Sequence, residues 1–333
     1  MRILIIQTAF VGDVILITPL IKATKTLFQE SRIDVLVIPQ MSEILTNNPY
    51  INEIITFDKR NDKIKNFIKT ACLLRKRNYD LALLPHSSFT TVLLTYCSIT
   101  KQRVGFDRWL SSLLLTNKIP FEHGKHRIKK NLDLLSTFSD RSFSNHTELF
   151  PQENDYQKAE QLTSSLDRRR KMIAIAPGSI WLTKRWPERY YKTLTQQLVG
   201  AGFALVMIGS TDEKALCENI LPSTHAINVA GVTSILESAA IIEQCDLMIC
   251  NDSGAMHIAN AVKTDVFVFF GPTVESIGYF PFRERDQVFQ VNVHCRPCGS
   301  HGGQHCPKGH HICMEEIQPE FVLHRVIAHL EKE

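Results

Sequence analysis

No apolar run in the 333-residue chain approaches the roughly 18 residues that a membrane-crossing helix needs, which argues against a helical integral membrane protein. Glycine-rich nucleotide signatures are missing as well. The turn after the first apolar run, Thr8-Ala9-Phe10-Val11-Gly12-Asp13, lacks G-x-G-x-x-G, and no G-x-x-x-x-G-K-[ST] occurs anywhere. A Rossmann dehydrogenase and a P-loop enzyme are thereby disfavoured. There is no D-x-D, so a divalent metal holding a diphosphate is not indicated. Basic motifs interleaved with aromatics, of the RNA-binding kind, are absent too, and nucleic acid is not an expected partner.

Acidic residues are scarce in one stretch. Lys101 to Lys130 holds eight Lys or Arg against Asp107 and Glu122, although the whole chain carries a formal charge of only +4. Such a bias suits a local anionic partner, or simply a solvated basic surface. An apolar share of 44% with 22% charged residues is ordinary for a globular protein, and the length suggests two domains. Met1 to Ile21 is apolar but is interrupted by Gln7, Gly12 and Asp13 and lacks a small-residue cleavage site, so it reads as a buried strand and helix. With nine cysteines, an odd number, the expected compartment is the reducing cytoplasm.

Strands are expected at Arg2 to Ile6, Ile33 to Ile38, Ile54 to Phe57 and Leu81 to Pro85, with helices over Val14 to Phe28 and Lys63 to Arg77. A polar, charged stretch from Ser139 to Arg170 marks a boundary. Beyond it, Met172 to Ala176, Phe203 to Ile208, Leu247 to Cys250 and Val266 to Phe270 read as strands between helices. The alternation predicts an α/β protein with parallel sheets covered on both faces. Domains are placed at 1–155 and 171–315, followed by a helix within 316–333.

Four strand ends of the second half carry Pro177-Gly178-Ser179, Gly209-Ser210, Asp252-Ser253-Gly254 and Gly271-Pro272-Thr273. Small residues there let the backbone approach a ligand, and N–H groups at a helix start attract phosphate. Asp252 or Ser253 would otherwise be a plain helix cap. Lys184 and Arg185, between Trp181 and Trp186, read either as a solvated loop or as cations for a diphosphate. Asp13 reads as a helix cap, or as a general base if its loop lines a cleft.

In order along the chain, Gly12-Asp13, Pro177-Gly178-Ser179 with Lys184-Arg185-Trp186-Pro187, Asn228-Val229-Ala230-Gly231 and Asp252-Ser253-Gly254-Ala255-Met256-His257 resemble the ADP-heptose:lipopolysaccharide heptosyltransferase family. The segment from Cys295-Arg296-Pro297-Cys298 to Cys313-Met314 looks most like its heptosyltransferase II branch. The resemblance implies a GT-B architecture: two facing Rossmann-like domains with parallel sheets, acceptor on the first, nucleotide-sugar on the second, and a last helix returning toward the first. Asp13 would be the catalytic base of an inverting transfer of heptose from ADP-heptose to the lipopolysaccharide inner core, onto the first heptose. Donor-binding candidates are Ser179, Lys184, Glu213, Asp252, Ser253, Gly254, Met256 and His257. Ile180 stands where relatives can carry another hydroxyl.

On the acceptor side the candidates are His86, Ser87, Lys125 and Arg127, which would meet a lipid-anchored core acceptor in peripheral contact with the inner membrane, at its cytoplasmic face. No cofactor is expected for catalysis. Cys295, Cys298, Cys306 and Cys313, with five histidines nearby, read as a structural zinc site, a reduced thiol-rich loop or disulfides. Rival readings are a GT-B transferase or epimerase of other specificity, and a non-catalytic sugar-binding protein.

Overall fold

The first strand, Arg2–Gln7 (β1), is buried along Ile3–Gln7, as expected of a β-branched run sealed on both faces. In a computed structural model, which describes residues 1–331 apart from Ser87 and Trp109, it is a central strand of the first of two compact units, Met1–Phe150 and Pro151–Glu333. The other strands of that unit are Arg32–Val37 (β2), Glu53–Thr56 (β3), Leu81–Leu84 (β4), Gln102–Phe106 (β5) and Asn117–Ile119 (β6). All pair in parallel in the order β3-β2-β1-β4-β5-β6. The order reverses between β1 and β4, opening a crevice at their carboxyl ends.

The second unit repeats this plan. Its strands are Met172–Ala176 (β7), Ala204–Met207 (β8), Ala226–Asn228 (β9), Leu247–Asn251 (β10), Val266–Phe269 (β11) and Gln287–Phe289 (β12). Their order, β12-β11-β10-β7-β8-β9, places the corresponding crevice between β7 and β10. The core beneath it contains Ile173, Ile175, Leu205, Met207, Ile249 and Phe267, closed by Trp186 stacked on Phe269 with centroids 4.3 Å apart.

The Glu153–Thr163 helix packs on the Ile235–Glu243 helix within the second unit. The final helix, Pro319–Leu330, contributes Val322, Val326 and Leu330 to the same core and packs on the Glu188–Gly200 helix. One expected element is corrected: the single helix over Val14 to Phe28 is two, Val11–Ile15 and Thr18–Leu27. Pro19 lacks the N–H that would continue the ladder, and Thr18 Oγ1 donates to the Ile15 carbonyl at 2.8 Å in its place. Among the described residues no helix is long and apolar enough to cross a membrane.

Candidate functional site

In the second unit the β7/β10 crevice is built around a fully buried residue, Asn251, the last of β10. Its amide donates to the carbonyls of Pro177 (2.8 Å) and Gly178 (3.2 Å), and its Oδ1 accepts from the Trp186 N–H (2.9 Å) and the Tyr191 hydroxyl (3.2 Å). One side chain thus ties the end of β7 to the segment that carries Lys184. Sequence reasoning missed it as a site residue; its signal was a polar amide closing an otherwise apolar strand.

Asp252, the next residue, is nearly buried and does not act as a plain cap. Its Oδ2 accepts from Lys184 Nζ at 2.6 Å and from Thr273 Oγ1 at 2.6 Å. Ser253 occupies the N-cap of the Gly254–Ala261 helix with extended backbone and makes no side-chain cap hydrogen bond. The first N–H groups of that helix therefore lack a side-chain acceptor from the cap, beside an ammonium held in place by Asp252. Met256 and His257 lie in its first turns; Met256 is fully buried, and His257 is nearly so, with its ring edge-on to Tyr279.

The other strand ends converge on the same edge of the sheet. Ser179 is buried, and its carbonyl accepts from Arg185 Nε at 2.9 Å. Glu213 Oε2 accepts from both the N–H and the hydroxyl of Ser210. Its other carboxylate oxygen lies over Gly178, where a Cβ would stand 1.8 Å away, so any larger residue there would displace the Glu213 carboxylate from this position. Gly231 at φ +75° is similarly confined: a Cβ there would sit 2.7 Å from Thr211 Cα.

The cysteine-rich segment has a structural part in this site, but zinc is ruled out as its organiser. Among the described residues no three His, Cys, Asp or Glu side chains are grouped to hold a metal ion, and all nine cysteines are free. The thiols are engaged locally. Cys313 is buried in the core, which pushes it up to about 11, and Cys298 Sγ donates to the Cys295 carbonyl. Burial raises Cys306, but backbone N–H groups of His311, Lys308, His310 and Gly309 outweigh this and leave it below the ordinary thiol value. What the segment holds instead is the loop that carries Lys184. Gly303 N–H donates to Thr183 Oγ1 at 2.8 Å, the Thr183 N–H donates to the Gly303 carbonyl at 3.0 Å, and His311 Nε2 lies 2.8 Å from the Thr183 carbonyl.

In the first unit the β1/β4 crevice is bridged in an analogous way. Thr8 Oγ1 lies 3.2 Å from His86 Nδ1, and Lys59 Nζ donates to the Thr8 carbonyl at 2.5 Å. Asp13 is the third residue of the Val11–Ile15 helix; Phe10 is the N-cap, so the cap reading of Asp13 does not hold. Burial and the Lys59 charge keep His86 below the ordinary histidine value, Asp13 opposes this, and Arg127 adds to the depression. Arg127 donates to the Pro85 carbonyl at 2.9 Å. Lys125 is paired with Asp133 at 2.7 Å, and Ser87 lies outside the described residues. Lys59 escaped sequence reasoning because a lone lysine in a charged loop carries no pattern.

Comparison with known proteins identifies the fold and the family. The lipopolysaccharide heptosyltransferase 3 of Escherichia coli K12 is 28% identical over 79% of this chain and 80% of its own. The lipooligosaccharide heptosyltransferase 2 of Campylobacter jejuni strain 81116 is 26% identical over 98% of both chains. The structure of E. coli ADP-heptose lipopolysaccharide heptosyltransferase II superposes with a TM-score of 0.81 at 23% identity, covering 100% of this chain and 99% of that one. The two sheets with their flanking helices are thus those of the GT-B fold. Residues 68–306 match the profile of glycosyltransferase family 9 (heptosyltransferase). That match spans well over half of the sequence and includes the Lys184–Asp252 pair, so the chain belongs to glycosyltransferase family 9, the heptosyltransferases.

Proposed function

We propose that the chain moves heptose from ADP-heptose to the inner core of lipopolysaccharide, onto its first heptose, with inversion at the anomeric carbon. The observation that carries this reading is Lys184 fixed against Asp252 beside the uncapped start of the Gly254–Ala261 helix. An ammonium has three donors, and Asp252 takes one. The remaining donors and the helix N–H groups suit a diphosphate, whose negative charge grows as the bond to the sugar breaks. Ser179, Glu213, Ser253, Gly254, Met256 and His257 make up the rest of the donor region.

In the first unit Asp13 is the general base. Its carboxylate takes the proton from the acceptor hydroxyl while that oxygen attacks the anomeric carbon and ADP departs. His86, Ser87, Lys125 and Arg127 are assigned to the acceptor, which is lipid-anchored and reached at the cytoplasmic face of the inner membrane. The test is a titration with ADP-heptose, GDP-mannose and UDP-N-acetylglucosamine, followed by nucleotide release in the presence of a core acceptor. Preference for ADP-heptose and acceptor-dependent release of ADP are expected. Tighter binding of either other donor would overturn the assignment.

A further inference from the structure

At the carboxyl edge of the first sheet, the segments that follow β1, β3 and β4 expose large apolar side chains. Phe10 is 55% exposed, Ile64 78%, Ile68 56% and Phe89 61%. Ile64 and Ile68 are four residues apart, so they stand one above the other on the Lys63–Arg77 helix. The buried face of that helix is formed by Thr70, Ala71 and Leu74, so the isoleucines do not belong to the core. They line a surface depression together with Arg60, Asp62, Lys63, Lys65 and Lys69, so the basic residues around it outnumber the one acid. The helix carries Lys63, Lys65, Lys69, Arg75, Lys76 and Arg77, and no acidic residue. Asp58 in the preceding loop accepts from the backbone N–H groups of Arg60 and Asn61.

Exposed aliphatic residues next to lysines, on a helix without acids, match a surface that is apolar just below and negatively charged at its headgroups. We propose that the first two turns of the Lys63–Arg77 helix, with Ile64 and Ile68 inserted and Lys65 and Lys69 over the headgroups, dock this protein on an anionic lipid bilayer. Lys59, four residues before the helix, contacts the Thr8 carbonyl, so the docking helix begins at the same sheet edge as Asp13 and His86. This adds to the proposed function the surface that meets the membrane, and it does not depend on which sugar is transferred.

The experiment is co-sedimentation of the full chain with phosphatidylcholine vesicles, with or without phosphatidylglycerol. Binding only to the phosphatidylglycerol vesicles, weakened by salt, is expected. I64S/I68S and K65E/K69E should each weaken it at least about tenfold. Calorimetric affinity for ADP and the melting temperature should stay unchanged in both variants, because these side chains are exposed and belong to the first unit, whereas the proposed donor residues belong to the second. Failure of the wild-type chain to sediment, or undiminished sedimentation of either variant, would overturn the proposal. So would a dimer in light scattering that I64S/I68S dissociates, which would assign the patch to a second copy of the chain. A changed donor preference would bear on the proposed function alone.

Discussion

Lys184 and Thr273 donate to the same oxygen of Asp252, each at 2.6 Å, from the loops that follow two different strands. Lys184 sits in a short turn after β7 and Thr273 in the loop after β11. Their shared acceptor fixes where the ammonium lies, so under the proposed function little ordering is left for the donor-binding step.

Lys184→Ala should therefore weaken ADP-heptose binding by about 1.5–3 kcal/mol, the range for a hydrogen bond to a charged group. Isothermal calorimetry on a variant with a retained melting transition checks this. Unchanged affinity would remove Lys184 from the donor site.

Asp13→Asn removes a proton acceptor while keeping the size. Because Asp13 is in the first turn and is not the cap, its charge contributes to stability through the helix dipole by about 0.3–1 kcal/mol, and Asn gives up that contribution. As general base, Asp13 should contribute roughly 10²–10⁴-fold to the rate. A folded variant with near-normal donor affinity and turnover reduced at least about a hundredfold is expected. Near-normal turnover would leave the mechanism without its base.

Asn251→Leu keeps volume and removes four hydrogen bonds from the crevice floor. The Trp186 N–H, the Tyr191 hydroxyl and the Pro177 carbonyl would each be left buried without this partner. At about 1–3 kcal/mol per unsatisfied group, a loss of at least about 3 kcal/mol is expected in urea unfolding. A loss below about 1 kcal/mol would show that the floor reorganises freely.

His86 gives a pH dependence with a definite sign. Its folded-state value lies below the ordinary one, so the unfolded chain takes up the proton first. Its contribution to stability is complete above the unfolded value of about 6.5 and is lost as the pH falls through the folded value. His86→Asn should flatten the decline in melting temperature on acidification from neutral pH. Lys59→Gln should move the His86 ring titration upward in proton NMR, by removing the stronger of the two depressing charges. An unmoved titration would remove Lys59 from the His86 environment.

The central strands were legible because β1, β4, β7 and β10 are continuous apolar runs between turn signals. β6, β9 and β12 were not: each is three residues long at a sheet edge, and Asn117–Ile119 or Gln287–Phe289 has too few positions to display a period. The Lys63–Arg77 helix matched its expected span, since it has a clean buried face of Thr70, Ala71 and Leu74. In the site, Lys184 and Asp252 stood out by their motifs. Their mutual pairing did not, because 68 residues separate them and only the parallel order of β7 and β10 brings them together. The cysteine spacings suggested a metal, whereas the informative residues of that segment are Gly303 and His311, whose partners lie 120 and 128 residues away.

The reciprocal bonds between Thr183 and Gly303 also set how this part of the molecule opens. A loop around Lys184 held only by its own turn would exchange its amide hydrogens through small independent fluctuations. Here the Thr183 and Gly303 amides each have their acceptor on the other segment, and Gln304 adds a third link to the Ile180 carbonyl. Neither segment can expose its amides without releasing the other, so the two form one cooperative opening unit. Their amides should share a single protection factor, and a nucleotide bound at Lys184 should slow exchange as far along the chain as Gly303.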